Sequence, residues 1–302
     1  MKAMILAAGL GTRLRPLTLK IPKALIPVAN RPLMDRNIDY LKTFGITEIV
    51  MNAHHHCEQI IRHINNRSGV GIKVQVSVEP EILGTGGGIK KTMGFWGSGP
   101  FLVVNGDIVT DIDINKALET HKKAGNLATL VLHDCRPFNK IQIDRHFNIL
   151  EIPFERCIEG ADRYAFTGIH IIEPELLTCI PDGFSDIIDC YRKSILEGRP
   201  IGAYVATDHC WRDIGTVESY VTANKEAIKE NRFLTGQGCQ IHDTVILKDW
   251  AVIGNESCIE QGAEIKSSVL WNNVTIKESV KIVDSVITSS GIVSHDMINQ
   301  VY

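Results

Sequence analysis

Two glycines and two cations follow the first apolar segment of the chain. Gly9 and Gly11 come directly after Ala3–Ala7, and glycine lets the backbone turn tightly and approach a ligand closely. Successive backbone N–H groups in such a turn can bind an anion. Arg13 adds a guanidinium suited to phosphate, and Lys23 lies on a turn stiffened by proline. The pattern predicts a phosphate-binding loop.

This loop differs from two common phosphate-binding motifs. It contains no G-x-x-x-x-G-K-[ST] sequence and is therefore not a Walker A loop. Leu14 stands where a dinucleotide-binding fingerprint has its third glycine. By themselves, Arg13 and Lys23 could be ordinary surface cations, so the interpretation depends on the rest of the chain.

Two aspartates could bind a divalent cation. Asp107 follows the apolar segment Phe101–Asn105, and Asp213 lies in the sequence Trp-Arg-Asp-Ile-Gly-Thr. Ligands of open α/β sheets bind beyond the carboxyl ends of strands, where we expect Asp107. Two carboxylates suit Mg²⁺, which keeps other positions for water and phosphate oxygens. Either segment could instead be a turn, with Thr216 capping the next helix.

Short apolar runs alternate with helical patterns before the tail of the chain, which predicts an α/β fold with a mostly parallel, Rossmann-like sheet. The predicted strands are Ala3–Ala7, Glu48–Asn52, Lys73–Val78, Phe101–Asn105, Ala128–His133, Ala165–Ile171 and Ile201–Val205. The predicted helices are Leu33–Phe44, Glu58–Asn65, Ile114–Ala124, Pro174–Ile180, Ile187–Leu196 and Val217–Asn231.

The tail has a six-residue repeat. Apolar residues recur at Ile241, Leu247, Ile253, Ile259 and Ile265, and the repeat resumes after a one-residue slip near Trp271. A six-residue period predicts one flat strand per repeat and three strands per coil of a β-helix. Each coil must stack on the next to bury its apolar residues. We therefore predict a second, small domain.

The combined motifs resemble the signature of the sugar-1-phosphate nucleotidyltransferases. G-x-G-T-R-L-x-P-L-T stands at Gly9–Thr18, and P-K-x-L-x-P-V stands at Pro22–Val28. Asn-Gly-Asp and Trp-x-Asp-x-Gly-Thr resemble the magnesium-binding segments of that family. The resemblance implies a catalytic domain over residues 1–232 and a short left-handed β-helix over residues 233–302, closest to mannose-1-phosphate guanylyltransferases.

The resemblance also implies roles for particular residues. Arg13, Lys23 and Asp107 would be catalytic, Asp107 and Asp213 would bind Mg²⁺, and Arg15 would be an auxiliary phosphate contact. The nucleotide would be bound by Leu6, Ala8, Gly9, Gly11, Thr12, Arg13, Glu79, Gly84, Thr85, Asn105 and Gly106. A sugar-phosphate oxygen would attack the α-phosphorus as pyrophosphate leaves. Because this nucleophile is already anionic, no general base is needed.

The sugar pocket departs from the family pattern. Phe154-Glu155-Arg156 precedes Thr167-Gly168 and resembles the family's F-x-E-K-P and V-T-G elements. The resemblance implies that Glu155, Thr167 and Gly168 bind the sugar and that Arg156 binds its phosphate. Arginine stands where the family has lysine, so whether Arg156 takes over that role is open.

The segment from Glu79 to Gly88 resembles the base-reading loop of guanylyltransferases. Glu79 or Glu81 could accept hydrogen bonds from the paired N–H donors of guanine, which favours GTP. The resemblance to guanylyltransferases implies mannose 1-phosphate or a related sugar as the acceptor. The Thr-Gly-Gly-Gly-Ile run and Phe166-Thr167-Gly168 also resemble N-acetylmuramate-1-phosphate uridylyltransferases. A uridylyltransferase acting on that sugar or an amino sugar is therefore the alternative.

A different class, a non-catalytic subunit that senses nucleotide sugars, also remains open. Members of that kind lose loop or metal residues, whereas Arg13, Lys23, Asp107 and Asp213 are all present here. A β-helix with acetyltransferase activity needs more coils than this tail predicts. We expect the tail to mediate homo-oligomer contacts instead.

Composition limits the other function classes. The formal net charge of -3 gives no basic footprint for nucleic acid or a membrane surface. The apolar run at the N-terminus is too short for a signal peptide, and the eight scattered cysteines fit reduced thiols, so we expect a cytoplasmic location. Consecutive histidines at His54–His56 rarely bind one ion, and we predict a loop there.

Overall fold

The computed structural model describes residues 1–67, 71–153, 158–288 and 291–302. Glu155 and Arg156 lie outside the described residues, so their predicted contacts stay predictions. The α-helices in the described residues are α1 Leu33–Thr43, α2 Cys57–Asn66, α3 Gly84–Lys91, α4 Ile114–Ala124, α5 Ile187–Leu196 and α6 Val217–Ala227. Short 3-10 helices cover Thr12–Leu14, Lys23–Leu25, Met93–Phe95, Arg136–Phe138 and Pro174–Cys179.

The strands before the tail are β1 Lys2–Leu6, β2 Pro27–Val28, β3 Arg31–Pro32, β4 Glu48–Ala53, β5 Lys73–Val78, β6 Phe101–Asn105, β7 Ile108–Thr110, β8 Ala128–His133, β9 Ile141–Ile143, β10 Ile149–Glu151, β11 Asp162–Ile172, β12 Ile201–Val205 and β13 Trp211–Asp213. Those of the tail are β14 Phe233–Thr235, β15 Gln240–Ile241, β16 Ile246–Ile253, β17 Cys258–Ile259, β18 Glu264–Leu270, β19 Thr275–Ile276, β20 Lys281–Val283, β21 Val286–Ile287, β22 Ile292–Val293 and β23 Met297–Ile298.

Contacts among the described residues divide the chain into two units. The sheet unit contains Met1–Leu10 and Arg36–Trp211, and the repeat unit contains Gly11–Asp35 and Arg212–Tyr302. The cation-bearing segment therefore groups with the C-terminal repeats. The domain boundary expected after residue 232 stays a prediction.

The sheet unit is built around one sheet of nine strands. Its order is β10-β9-β11-β6-β1-β4-β5, and β8 pairs with β11 and β12. Strands β6, β1, β4 and β5 run parallel, which confirms the predicted α/β fold. Ala3–Ile5 and Phe101–Val104 are almost fully buried, as expected for parallel strands covered on both faces. Ile89 of α3 and Tyr191 of α5 pack on this core.

Local signals set the helix boundaries. Asp113 and Asp186 cap α4 and α5 by accepting backbone N–H bonds, and Gly125 ends α4 with φ 63°. Thr216 caps α6 in a reciprocal box with Ser219, as predicted. Two expected helices differ from the structure: α6 ends at Ala227 rather than residue 231, and residues 174–179 form a 3-10 helix.

The C-terminal strands of the repeat unit stack in parallel at a regular offset. Cys258 pairs with Gln240, eighteen residues earlier, and with Thr275, seventeen residues later. Eighteen residues equal three hexapeptides, and the shorter offset of seventeen agrees with the one-residue slip expected near Trp271. The stacking is compatible with the predicted β-helix, whose left hand stays a prediction. The predicted positions Ile253, Ile259 and Ile265 share one buried core.

None of the helices in the described part of the chain has the length and apolar character that a membrane crossing needs.

We predict that Gly254→Ala destabilises the stacked coils. A Cβ at this position would lie 2.5 Å from the backbone carbon of Trp271 in the next coil, and backbone cannot move aside easily. The expected loss is about 1–3 kcal/mol in the free energy of unfolding, measured by denaturant titration. Gly94→Ala is the control, since nothing lies within 4 Å of its added Cβ. Equal stability of the two variants would contradict close coil stacking.

Candidate active site

A cleft lies at the carboxyl ends of the parallel strands in the sheet unit. Leu6 pairs with Asn52 on one side and with Asn105 on the other, so these three residues lie at the same level of the sheet. The cleft has a volume of about 210 Å³. Its lining residues are Leu6, Ala8, Gly9, Asn52, Glu79, Ile82, Gly84, Thr85, Asn105 and Asp107. It thus brings together most of the predicted nucleotide-binding residues of this unit with Asp107.

A buried pair of polar side chains connects two loops of this cleft. Oδ1 of Asn52 accepts the backbone N–H of Ala7 at 2.7 Å, and its Nδ2 donates to Oε1 of Glu79 at 2.8 Å. Oε2 of Glu79 accepts the backbone N–H of Leu83 at 3.1 Å. Both oxygens of Glu79 are therefore engaged within the protein, and Glu81 is exposed. The pair fixes the glycine loop against the start of α3.

The glycine run of α3 makes room for this pair and for the loop before α5. A Cβ at Gly88 would lie 2.8 Å from Nδ2 of Asn52 and 2.9 Å from Oε1 of Glu79. At Gly87 it would lie 2.2 Å from the carbonyl oxygen of Gly183. The run is thus required by close packing, while Gly84 and Thr85 at the start of α3 line the cleft.

The Asn-Gly-Asp turn is held from two sides. The N–H of Gly106 donates to the carbonyl of Leu6 at 2.8 Å, and Nδ2 of Asn37 donates to the carbonyl of Gly106 at 3.1 Å. A Cβ at Gly106 would lie 2.7 Å from that Leu6 oxygen, so only glycine fits. Gly106 therefore holds the turn through its backbone hydrogen bonds, and Asp107 lines the cleft.

The two predicted sugar-site residues on β11, Thr167 and Gly168, have different surroundings. Thr167 is fully buried, and its hydroxyl donates to the carbonyl of Val131 at 2.7 Å, while its own carbonyl accepts Nε1 of Trp211 at 2.8 Å. Gly168 has φ 80°, and a Cβ there would lie 2.7 Å from Nδ2 of Asn105. Gly168 therefore lies against Asn105, whereas the Thr167 side chain is used within the protein, and the contact of either residue with a sugar stays a prediction.

Two histidines, His133 and His209, lie close to Trp211. Nδ1 of His133, at the carboxyl end of β8, is 3.2 Å from Nε2 of His209, and its ring packs against Trp211 with centroids 4.5 Å apart. Burial, together with His209, lowers the pKa of His133 to about 4. His133 is therefore neutral at neutral pH and acts as a packing and hydrogen-bonding group.

In the repeat unit, Arg13 and Asp213 lie over the same glycine. A Cβ at Gly215 would lie 2.7 Å from Oδ2 of Asp213 and 3.2 Å from Nη2 of Arg13. Glycine at this position lets an exposed guanidinium and a half-buried carboxylate approach the backbone at the start of α6. The structure thus brings together two predicted site residues that are 200 positions apart in the sequence.

The second cation is anchored by the glycine loop itself. Gly11 has φ 61°, and a Cβ there would lie 2.8 Å from Cγ2 of Thr18 and 3.4 Å from Cβ of Lys23. Oγ1 of Thr18 donates to the carbonyl of Gly11 at 2.8 Å. Gly11 therefore permits both the turn and the close approach of Lys23, while Thr12 lies exposed at the start of the 3-10 helix.

The donor set in the cleft suits a hard cation. Asp107 offers carboxylate oxygens at the level of Asn105, and oxygen ligands of this kind fit Mg²⁺. Within the described ranges, no three His, Cys, Asp or Glu side chains form a metal-binding group. Magnesium uses few protein ligands when it also binds phosphates, so the assignment of Asp107 and Asp213 stays a prediction.

Sequence reasoning overlooked several residues near the candidate site. Asn52 and Ile82 line the cleft, and His133 and His209 contact each other next to Trp211, whose indole donates to the carbonyl of Thr167. Asn52 ends a predicted strand next to the glycine loop, which is a signal that could have identified it. His133 and His209 meet only through the pairing of β8 with β11 and β12, which sequence patterns do not reveal.

Comparison with known proteins identifies the family. Residues 2–230 match the Nucleotidyl transferase family. The chain is 37% identical to the N-acetylmuramate alpha-1-phosphate uridylyltransferase of Neisseria meningitidis over 72% of this chain and 94% of that protein. It is 28% identical to mannose-1-phosphate guanylyltransferase 1 of Arabidopsis thaliana over 99% of this chain and 88% of that protein.

A solved structure shows the same likeness. The crystal structure of HddC from Yersinia pseudotuberculosis complexed with GMP-PN matches with a TM-score of 0.63 and 25% identity, over 75% of this chain and 99% of that one. The two relatives are named for different nucleotides and different sugars. Because the family match includes every strand that lines the cleft, this chain belongs to the Nucleotidyl transferase family.

Proposed function

We propose that this protein transfers a nucleoside monophosphate from GTP to the phosphate of mannose 1-phosphate or a related sugar and releases pyrophosphate. One observation carries the reaction class: Gly9, Gly84 and Asp107 line a single cleft beyond the carboxyl ends of parallel strands. Such a cleft gives a nucleotide a backbone turn for its phosphates, glycine at the base loop and a carboxylate for a cation.

The chemistry requires positioning and charge neutralisation. A phosphate oxygen of the sugar forms a bond to the α-phosphorus, and the bond from that phosphorus to the β-phosphate oxygen breaks. Arg13 and Lys23 bind phosphate oxygens and compensate the negative charge of the departing pyrophosphate. Asp107 and Asp213 would hold Mg²⁺, which would supply further charge neutralisation at the phosphates.

The assignment of GTP rests on the resemblance of the segment from Glu79 to Gly88 and on one solved structure. The similar HddC structure is a complex with GMP-PN. Since both oxygens of Glu79 accept internal N–H groups, Glu81 and the backbone groups near Gly84 are left to bind the base.

Uridylyl transfer to N-acetylmuramate 1-phosphate is the second candidate. The relative with this activity in its name shares the higher identity, 37%, although its alignment covers 72% of the chain. The hydrogen bonds of Glu79 also weaken the case for guanine. Its carboxylate oxygens already accept N–H groups of the protein, so they are not free to accept both N–H donors of that base.

We expect a screen of GTP, UTP, ATP and dTTP against a panel of sugar 1-phosphates to show pyrophosphate release, with kcat/KM highest for GTP and mannose 1-phosphate. The panel includes heptose 1-phosphate and N-acetylmuramate 1-phosphate. A preference for UTP of about tenfold or more, which corresponds to about 1.4 kcal/mol, would reverse the assignment of the base. If no combination of nucleoside triphosphate and sugar 1-phosphate released pyrophosphate, the result would favour the non-catalytic subunit that senses nucleotide sugars. Light scattering on the same sample tests the predicted homo-oligomer.

Asp107→Asn is expected to lower kcat by about 10²–10³-fold while the nucleoside triphosphate still binds. The substitution keeps the shape of the side chain but removes the charge that would hold the cation. Stopped-flow turnover and calorimetric binding of GTP measure the two effects. Asp113→Asn is the matched control, because asparagine also caps α4 and this residue lies outside the cleft. Near-normal turnover in Asp107→Asn would refute the metal assignment.

Gly88→Ala is expected to raise the KM for the nucleoside triphosphate roughly tenfold, with little change in the KM for the sugar phosphate. Its methyl group would displace the Asn52–Glu79 pair that connects the two nucleotide loops. Steady-state kinetics with each substrate varied in turn separate these constants. Gly94→Ala serves as the control. An equal rise in both KM values would show that the pair supports the whole unit rather than the nucleotide cleft.

A further inference from the structure

A chain of buried polar groups connects the C-terminal coils to the segment that follows Lys23. Nε1 of Trp271 donates to the hydroxyl of Tyr220 at 2.8 Å, and that hydroxyl donates to the carbonyl of Pro27 at 2.8 Å. Both aromatic side chains are buried. Burial raises the pKa of Tyr220 well above its ordinary value, so its hydroxyl stays protonated and keeps its donor.

Two further bonds hold the same segment. The N–H of Ala29 donates to Oδ1 of Asn224 at 2.9 Å, and Nδ2 of Asn224 donates to the carbonyl of Tyr220 at 3.0 Å. Nδ2 of Asn30 donates to the carbonyl of Ile253 in β16 at 2.7 Å. Residues 27–30 are therefore attached both to α6 and to the stacked coils.

The attached segment carries the cations. Lys23 begins a 3-10 helix, and the N–H of Ile26 donates to its carbonyl at 3.2 Å, directly before Pro27. Gly11 packs on Lys23, and Arg13 lies with Asp213 over the glycine that precedes α6. Apart from single-turn 3-10 helices, the regular structure between residues 11 and 32 consists of β2 and β3, each of two residues. Such short elements cannot fix their own position.

We propose that Trp271, Tyr220 and Asn224 are positioning residues for the phosphate-binding cations, and that the C-terminal repeats serve the reaction as the scaffold of this segment. The inference rests on the proposed function for the role of Arg13 and Lys23. The physical reason is that the Trp271–Tyr220 and Ala29–Asn224 hydrogen bonds are buried, so removal of one partner leaves the other buried without a bond.

Hydrogen exchange tests the scaffold without reference to activity. In Trp271→Phe, the aromatic packing is kept and the N–H donor is lost. Asn30→Gly tests a second link, and glycine tolerates the φ of 60° at this position. We expect the amides of Leu25, Ile26, Val28 and Ala29 to exchange roughly tenfold faster in both variants, while those of Cys258 and Thr275 in the coils change less than about twofold.

Kinetics test the consequence for the reaction. We expect kcat to fall roughly tenfold in both variants, with the KM for the sugar 1-phosphate within about twofold of the wild type. Trp250→Phe is the matched control, because Trp250 is also a buried tryptophan of the coils and lines a different cleft, with Lys225 and Ile228. The control is expected to keep both wild-type exchange and wild-type kcat.

Three results would overturn the proposal: wild-type exchange at Leu25, Ile26, Val28 and Ala29 in both variants, a kcat equal to that of Trp250→Phe, or equally faster exchange in the segment and the coils. The last would indicate a general loss of stability. Failure of the wild-type chain to release pyrophosphate with any substrate pair would instead refute the proposed function. The exchange measurement would then still decide whether the repeats hold the segment.

Discussion

Parallel pairing of β1 with β4 and β6 is the constraint on which the candidate site depends. It places the ends of three strands at one level, so that Leu6, Asn52 and Asn105 border the same cleft. Because the strand interiors are apolar and buried on both faces, the register cannot slip without exposing core residues. In β1, β4 and β6 the polar residues therefore lie near the strand ends, and this edge is where a ligand can reach backbone groups.

Buried polar bonds then specify how the loops leave that edge. The Asn52–Glu79 pair holds the backbone at Ala7 and at Leu83, and the glycine at position 88 allows the helix to approach the pair. The same principle recurs in the repeat unit, where Tyr220 and Trp271 hold the carbonyl of Pro27. Such bonds determine the path of a loop as well as its stability, because a buried donor or acceptor has few alternative partners.

The grouping of residues 11–35 with the C-terminal repeats changes how the tail is understood. A hexapeptide-repeat tail is easily taken for an accessory domain, since its coils bury a core of their own. Here the coils also hold, through α6 and Ile253, the segment that contains Arg13 and Lys23. This arrangement gives a physical reason for a catalytic chain to retain the repeats beyond any contact between subunits.

The sequence by itself determined the strands that line the cleft, the Thr216 cap, the hexapeptide core and the family, because these depend on neighbouring residues and short motifs. Tertiary structure alone decided that Glu79 is engaged by Asn52, that the hydroxyl of Thr167 points to Val131, and that Tyr220 holds Pro27. These contacts join residues 27, 36 and 193 positions apart. Their partners are set by strand order and packing, which no local pattern encodes.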